Sequence, residues 1–203
     1  MAALNPAVCA NKNKGAEHGM CGLSGEIRFD GTHADTGAVA RMTDAMAPRG
    51  PDAAGLFAQS RCAFGHRRLK IIDLSEKAQQ PLVDSDLGLT IAFNGCIYNY
   101  KALREELIAL GYRFFSTGDT EVVLKSFHAW GPDCVKRLNG MFAFALWDSR
   151  ARRLAHTAAA LLPFAGRAEN EVPLSAVAPR DRHAGLLVAG AFDFKSAESA
   201  LPG

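Results

Sequence analysis

Four absences narrow what this sequence can be. It has no apolar run near the roughly 20 residues of a membrane-spanning helix, so a membrane is not an implied partner. Its first twenty residues lack the apolar core of a secretory signal, because Asn11-Lys12-Asn13-Lys14 breaks any such run. It has no Cys-x-x-Cys pair. The five cysteines, at 9, 21, 62, 96 and 134, are odd in number and widely spaced. That argues against a zinc site, any other metal site or a disulfide framework, and makes a reducing cytoplasm the expected setting. Finally, it has no field of one sign: 23 Lys and Arg against 21 Asp and Glu leave a net charge of +2, too little to imply nucleic acid.

What is present suits one sizeable domain with tails, since 203 residues bury a core of that scale. Residues 1–20 show no periodicity and read as a leader or a mis-assigned start. Leu23–Phe29 reads as a strand. Asp35–Met46 reads as a helix, with Val39, Met42 and Met46 on one face and Pro48 stopping it. Arg49-Gly50-Pro51-Asp52 is a turn. Short strands follow at 54–58, 62–65 and 69–73, then a loop through Gln79-Gln80-Pro81. Leu89–Phe93 is an apolar strand expected to end at Asn94-Gly95. An amphipathic helix is expected over 99–110, with Leu103, Leu107 and Leu110 on one face and Gly111 as its C-terminal stop. Asp119-Thr120 offers a cap to the next helix. Residues 140–147 are apolar at every position, which requires a strand buried on both faces and hence a layered sheet. After 153 the chain turns Ala-rich, with Pro163, Pro173 and Pro179, and shows neither a consistent period nor a repeat. The order of elements predicts an α+β layered domain.

The stretch His18-Gly19-Met20-Cys21-Gly22-Leu23-Ser24-Gly25-Glu26 raises a chemical question. Met-Cys-Gly has the form of a start site, yet twenty residues precede Cys21. A thiol is a good nucleophile but needs a base near neutral pH. A free α-amine, with a pKa of about 7.7–8.0, would serve as that base within the same residue. The alternative is a small buried residue that only packs. Acyl transfer would also need oxyanion donors, which Asn94 and Gly95 can supply, although Asn-Gly is more commonly a plain turn. An amino-acid substrate would need a cation and an anion; Arg67, Arg68 and Asp119 are the candidates, with a solvated charge or a helix cap as their simpler roles. His66 reads as structural, and Cys9, Cys62 and Cys134 as incidental thiols.

These signals fall in one order along the chain. Met20-Cys21-Gly22-Leu23-Ser24-Gly25, Arg49-Gly50-Pro51-Asp52, Gly65-His66-Arg67-Arg68-Leu69-Lys70-Ile71-Ile72-Asp73, Asn94-Gly95-Cys96-Ile97-Tyr98-Asn99, Asp119-Thr120-Glu121-Val122 and Gly140-Met141-Phe142-Ala143-Phe144-Ala145 succeed one another. The series resembles the glutaminase domain of asparagine-synthetase-like class II glutamine amidotransferases. The resemblance implies an N-terminal-nucleophile hydrolase with a four-layer αββα sandwich. It further implies Cys21 as nucleophile with its own α-amine as base, and Asn94 and Gly95 as the oxyanion hole. Arg68 would clamp the glutamine α-carboxylate and Asp119 hold its α-ammonium, with Ile71, Ile72 and Cys96 lining the same pocket. Glutamine would be the substrate, with no cofactor in this chain. ATP and magnesium would belong to a synthetase domain, in the same chain or a separate subunit, and a homodimer is compatible with the family.

Asparagine synthetases usually have Glu where this sequence has Cys96, which leaves Asp119 as the main anion beside the substrate ammonium. Asn-Gly-Cys-Ile-Tyr-Asn, with Gly25–Gly31, Arg67–Glu76 and Asp86–Thr90, looks like one branch, the N-acetylglutaminylglutamine amidotransferases. The domain division expected is a leader over 1–20, a glutaminase domain over 21–153 and a divergent tail over 154–203, with the sandwich incomplete at its C-terminal end. The family's Ser-Gly-Gly-x-Asp-Ser phosphate loop does not occur in the sequence, and Pro179–Gly185 only faintly echoes its Ala-Arg-Asp-Arg run. A catalytically silent remnant is the competing expectation. A hexosamine-phosphate synthase fits less well, because its Arg-Gly-Tyr-Asp-Ser and His-Thr-Arg-Trp motifs are absent.

Overall fold

A computed structural model of the protein describes residues 21–159 and 185–190. The leader, Cys9 and most of the expected tail lie outside those residues.

Two antiparallel four-stranded sheets lie face to face. The first has the order β2-β3-β1-β8, from β1 (Gly22–Arg28), β2 (Ala53–Gln59), β3 (Cys62–Arg68) and β8 (Gly185–Gly190). The second has the order β4-β5-β6-β7, from β4 (Leu82–Asp84), β5 (Leu89–Ile97), β6 (Gly140–Asp148) and β7 (Arg153–Ala159). Helix α1 (Thr36–Ala45) packs on the outer face of the first sheet; α2 (Tyr100–Ala109) and α3 (Asp119–Trp130) cover the second. The α+β layering is therefore helix, sheet, sheet, helices.

Strand alternation assigns each side chain to a layer. On β5 and β6, Ile91, Phe93, Phe142, Phe144 and Leu146 face the helices and meet Leu103, Leu107, Val122 and Val123. The intervening Ala92, Ala145 and Trp147 face the first sheet, where they meet Leu23, Ile27 and Phe64. The doubly buried strand expected at 140–147 is this β6. Burying a side chain such as Phe142 contributes about 1.5–3 kcal/mol, so both interfaces hold the second sheet in place.

The helix termini follow local chemistry. The Asp35 side chain caps α1 by accepting from Ala38 N at 2.9 Å. At the end of α2, Gly111 takes φ of 94°, its N–H reaches Ile108 O, and Tyr112 N–H reaches Leu107 O. These paired bonds form the Schellman ending that a glycine permits. The expected cap at Asp119 is corrected: Gly118 is the cap residue, and Asp119 is the first residue of α3.

Three further departures have physical causes. No strand forms over 69–73. β1 begins at Gly22, opposite Arg67, so among the described residues the chain beyond Arg68 has no strand on that side to continue the ladder. Leu69 and Lys70 instead give their N–H groups to Cys21 Sγ and Asp52 Oδ2. Second, β5 does not stop at Asn94-Gly95 but runs to Ile97, paired throughout with β6. Gly95 makes this feasible: its φ is 153°, and a Cβ there would lie 2.3 Å from Met141 O. Third, the stretch without a period contributes two strands, β7 beside β6 and β8 beside β1.

Candidate active site

The two sheets part at one end into an open cleft with a cavity of about 90 Å³. Cys21, Arg68, Ile71 and Ile72 line it from the first sheet and the loop after β3. Asn94, Gly95, Cys96 and Asp119 line it from β5 and α3. The eight residues that the resemblance assigns to the pocket thus converge on one cavity.

Cys21 stands one residue before β1, on the alternation that faces the second sheet. Its Sγ accepts from Leu69 N–H at 3.2 Å and lies 3.6 Å from Leu69 O. Burial pushes the thiol pKa up, against a smaller opposite pull from the Leu69 backbone and the Arg68 charge. The thiol therefore needs a base to become a thiolate near neutral pH.

Asn94 and Gly95 face it from the second sheet. β4 pairs with β5 only as far as Ile91, so among the described residues no strand lies beside the edge of β5 beyond that point. The alternation of an antiparallel ladder turns the backbone of odd-numbered β5 residues toward this edge. Phe93 N–H is taken by Gln80 Oε1 at 2.6 Å, and Ile97 N–H by Asp119 Oδ2 at 3.0 Å. Between them, Gly95 directs its N–H into the cleft, where it can donate to an oxygen that gains charge.

The two ionic groups are held differently. Arg68 lies along the cleft with its guanidinium tied to the loop carbonyls of Asp73 and Ser75, the latter at 2.9 Å. Arg67 points to the opposite face, donating to Thr43 O at 3.0 Å and pairing with Asp44 at 2.6 Å. Of the two candidate arginines, strand alternation brings only Arg68 to the site, which corrects the expectation for Arg67. Asp119 is 5% exposed, and burial raises its pKa to about 6. The Ile97 amide, the amides at the start of α3 and the Arg68 charge oppose that rise.

His66 lies wholly buried between the sheets. Its Nε2 is 2.9 Å from Phe93 O. A carbonyl only accepts, so Nε2 carries the proton. Burial lowers the pKa to about 4, leaving the ring neutral and unsuited to general-base work at the cleft. Cys62 and Cys134 are thiols buried in the core, both raised by burial, Cys134 to about 12.

Three residues of the site's framework went unselected in the sequence. Asp73 accepts from Ser75 N, Thr117 N and Thr117 Oγ1, joining the loop after β3 to the loop before α3. Burial works to raise the Asp73 pKa, but these bonds hold it well below the usual carboxylate range. Gln80 and Thr117 complete the frame. Their motif neighbourhoods were visible, but bonds between distant loops carry no signal in local spacing.

A family model described as a glutamine amidotransferase domain matches residues 20–158. The chain belongs to that family. Asparagine synthetase (glutamine-hydrolysing) 3 of Bacillus subtilis is 41% identical over 138 residues, covering 66% of this chain and 22% of its own length. Asparagine synthetase B of Escherichia coli is 38% identical over 132 residues, covering 64% and 23%. This glutamine amidotransferase domain thus spans under a quarter of the length of those relatives. The fold also matches glutamine phosphoribosylpyrophosphate amidotransferase of B. subtilis, with a TM-score of 0.56 at 19% identity, covering 68% of this chain and 37% of the other. The layered α+β sandwich is accordingly the fold of that amidotransferase.

Proposed function

We propose that this domain hydrolyses glutamine through a Cys21 thioester and supplies ammonia for amidating an acceptor carboxylate. The carrying observation is the convergence of Cys21, Arg68, Asn94-Gly95 and Asp119, from four separate segments, on one cleft.

The reading assigns each group a step. In a chain that begins at Cys21, the α-amine takes the thiol proton and the sulfur attacks the carbon of the glutamine side-chain amide. The carbonyl oxygen becomes an oxyanion held by the Asn94 side-chain amide and the Gly95 N–H. The protonated amine returns its proton to the departing nitrogen, which leaves as ammonia. Water then attacks the thioester carbon, releasing glutamate and restoring the thiol. Arg68 binds the α-carboxylate and Asp119 the α-ammonium, which selects an amino acid over a simple amide. ATP, with magnesium, would activate the acceptor on a synthetase domain or subunit. Cys96 and its surrounding motif favour N-acetylglutaminylglutamine as that acceptor. The setting is a reducing cytoplasm that keeps Cys21 a thiol.

A chain released to begin at Cys21 is expected to liberate ammonia from glutamine, and Cys21→Ala to abolish it. A folded protein with free Cys21 that neither turns over glutamine nor reacts with a glutamine-like electrophile would refute the reading. The competing remnant hypothesis predicts that result.

A further inference from the structure

Among the described residues, the edge of β5 that carries the oxyanion donors has no neighbouring strand at Phe93, yet both backbone groups of that residue are buried and bonded. Gln80 Oε1 accepts from Phe93 N–H at 2.6 Å, and His66 Nε2–H donates to Phe93 O at 2.9 Å. Two side chains therefore occupy the place of the missing strand. They come from different parts of the molecule: His66 from β3 of the opposite sheet, Gln80 from the loop before β4. Gln80 is itself held, its Nε2 3.4 Å from Thr120 Oγ1 in the first turn of α3.

We propose that His66 and Gln80 are positioning residues, which fix the two peptide planes flanking Phe93, Gln80 the one before it and His66 the one it shares with Asn94, and so aim the Asn94 and Gly95 donors at the oxygen bound opposite Cys21. Phe93 O shares a rigid plane with the nitrogen of Asn94, so anchoring that oxygen fixes the direction in which Asn94 begins. His66 spans the gap between the sheets, linking the sheet that carries Cys21 to the strand that carries the donors. The distance between nucleophile and oxyanion hole is thereby set by a bond rather than by packing alone. A neutral imidazole suits this role because it adds no second cation beside Arg68. The proposal rests on the glutaminase reading for its effect on rate, but not for its effect on the strand.

In the chain beginning at Cys21, His66→Leu removes the donor, and His66→Gln offers an amide N–H at about the reach of Nε2. Misaimed donors weaken transition-state binding, so His66→Leu should lower kcat by about 10- to 100-fold with KM within about threefold. His66→Gln should recover most of the loss. Amide hydrogen exchange at Phe93, Asn94 and Gly95 should quicken in His66→Leu and return toward the parent in His66→Gln. If His66→Leu fails to fold, Gln80→Met removes the acceptor from Phe93 N–H and should give the same kcat loss and faster exchange. A folded variant with unchanged kcat and unchanged exchange overturns the proposal. So does a loss that falls on KM alone, or one that His66→Gln does not relieve. If the parent shows no turnover, the glutaminase reading fails by itself, and the exchange measurement still decides whether His66 and Gln80 hold the strand.

Discussion

Arg67 and Arg68 are neighbours in sequence with unrelated surroundings, because successive side chains of a strand face opposite ways. Arg67 pairs with an exposed Asp44, and such pairs contribute no more than about 1 kcal/mol. Arg67→Ala should therefore leave KM for glutamine within about twofold. Arg68→Lys keeps the charge but loses the planar fork that bonds the loop carbonyls while presenting further donors to a carboxylate. KM should rise about 10- to 100-fold, as expected for losing a charge-assisted hydrogen bond. Steady-state glutamine kinetics on the two variants separate these outcomes.

Asp119 adds a pH dependence whose sign follows from its burial. With a pKa near 6 it is ionised at neutral pH and becomes protonated as the pH falls through that value. The attraction for the substrate ammonium is then lost, so KM should rise below about pH 6. Asp119→Asn should have a high KM at neutral pH and lose this inflection. Folding stability runs the other way. Between the ordinary carboxylate value of 3.8 and about 6, the folded protein holds a proton that the unfolded chain does not. Its Asp119 contribution to stability therefore grows as the pH falls through that window. Thermal denaturation of the wild type against Asp119→Asn, at pH 7 and pH 5, reads this difference.

At the scale of elements, α3 is joined to the second sheet by buried charges as well as by apolar packing. Lys125 Nζ lies 2.7 Å from Asp84 Oδ2 in β4 and 3.0 Å from Glu121 Oε1, one turn back in the helix. Glu121 also accepts from the backbone of Phe115 and Ser116, which fixes the loop ahead of Asp119. Lys125→Met would leave two buried carboxylates without their cation. The expected cost is about 3–5 kcal/mol, seen as a lowered midpoint in denaturant, with KM rising where the loop loosens.

The same scale explains which features could be read from the chain. Regular elements such as α2 and the all-apolar β6 were legible because their periods reflect the layers they meet, although on α2 only Leu103 and Leu107 are buried and the expected third member, Leu110, caps the helix exposed to solvent. The eight cleft residues were legible because motifs mark them in order. The course of 69–73 was not, since apolar Ile71 and Ile72 suit a strand and only the early end of β1 denies them one. Residue chemistry alone did not sort Arg67 from Arg68; the motif resemblance chose Arg68, which the register of β3 turns to the cleft. Asp73, Gln80 and His66 act through bonds to distant backbone, which no local pattern records.

At the scale of the whole molecule, the decisive variable is the bond before Cys21. The cleft surrounds the thiol with groups that can bind and polarise an amide, but burial keeps that thiol protonated, and the imidazole of His66, the one nearby among the described residues, is neutral and committed to Phe93. On the proposed mechanism the base is the α-amine. A peptide bond to Met20 converts that amine into an amide, which cannot accept a proton at neutral pH. General-base catalysis contributes about 100- to 10,000-fold, so the chain retaining residues 1–20 should fall short of the chain beginning at Cys21 by that factor in kcat. Both forms should fold alike, because the Cys21 side chain and the sheets do not depend on the amine. Ammonia release measured on the two forms, with matched circular dichroism, tests the factor. Sequencing the N-terminus of the protein from its native cell then shows which form is present there. Equal turnover from both forms would mean that another group takes the proton, and would remove the α-amine from the mechanism.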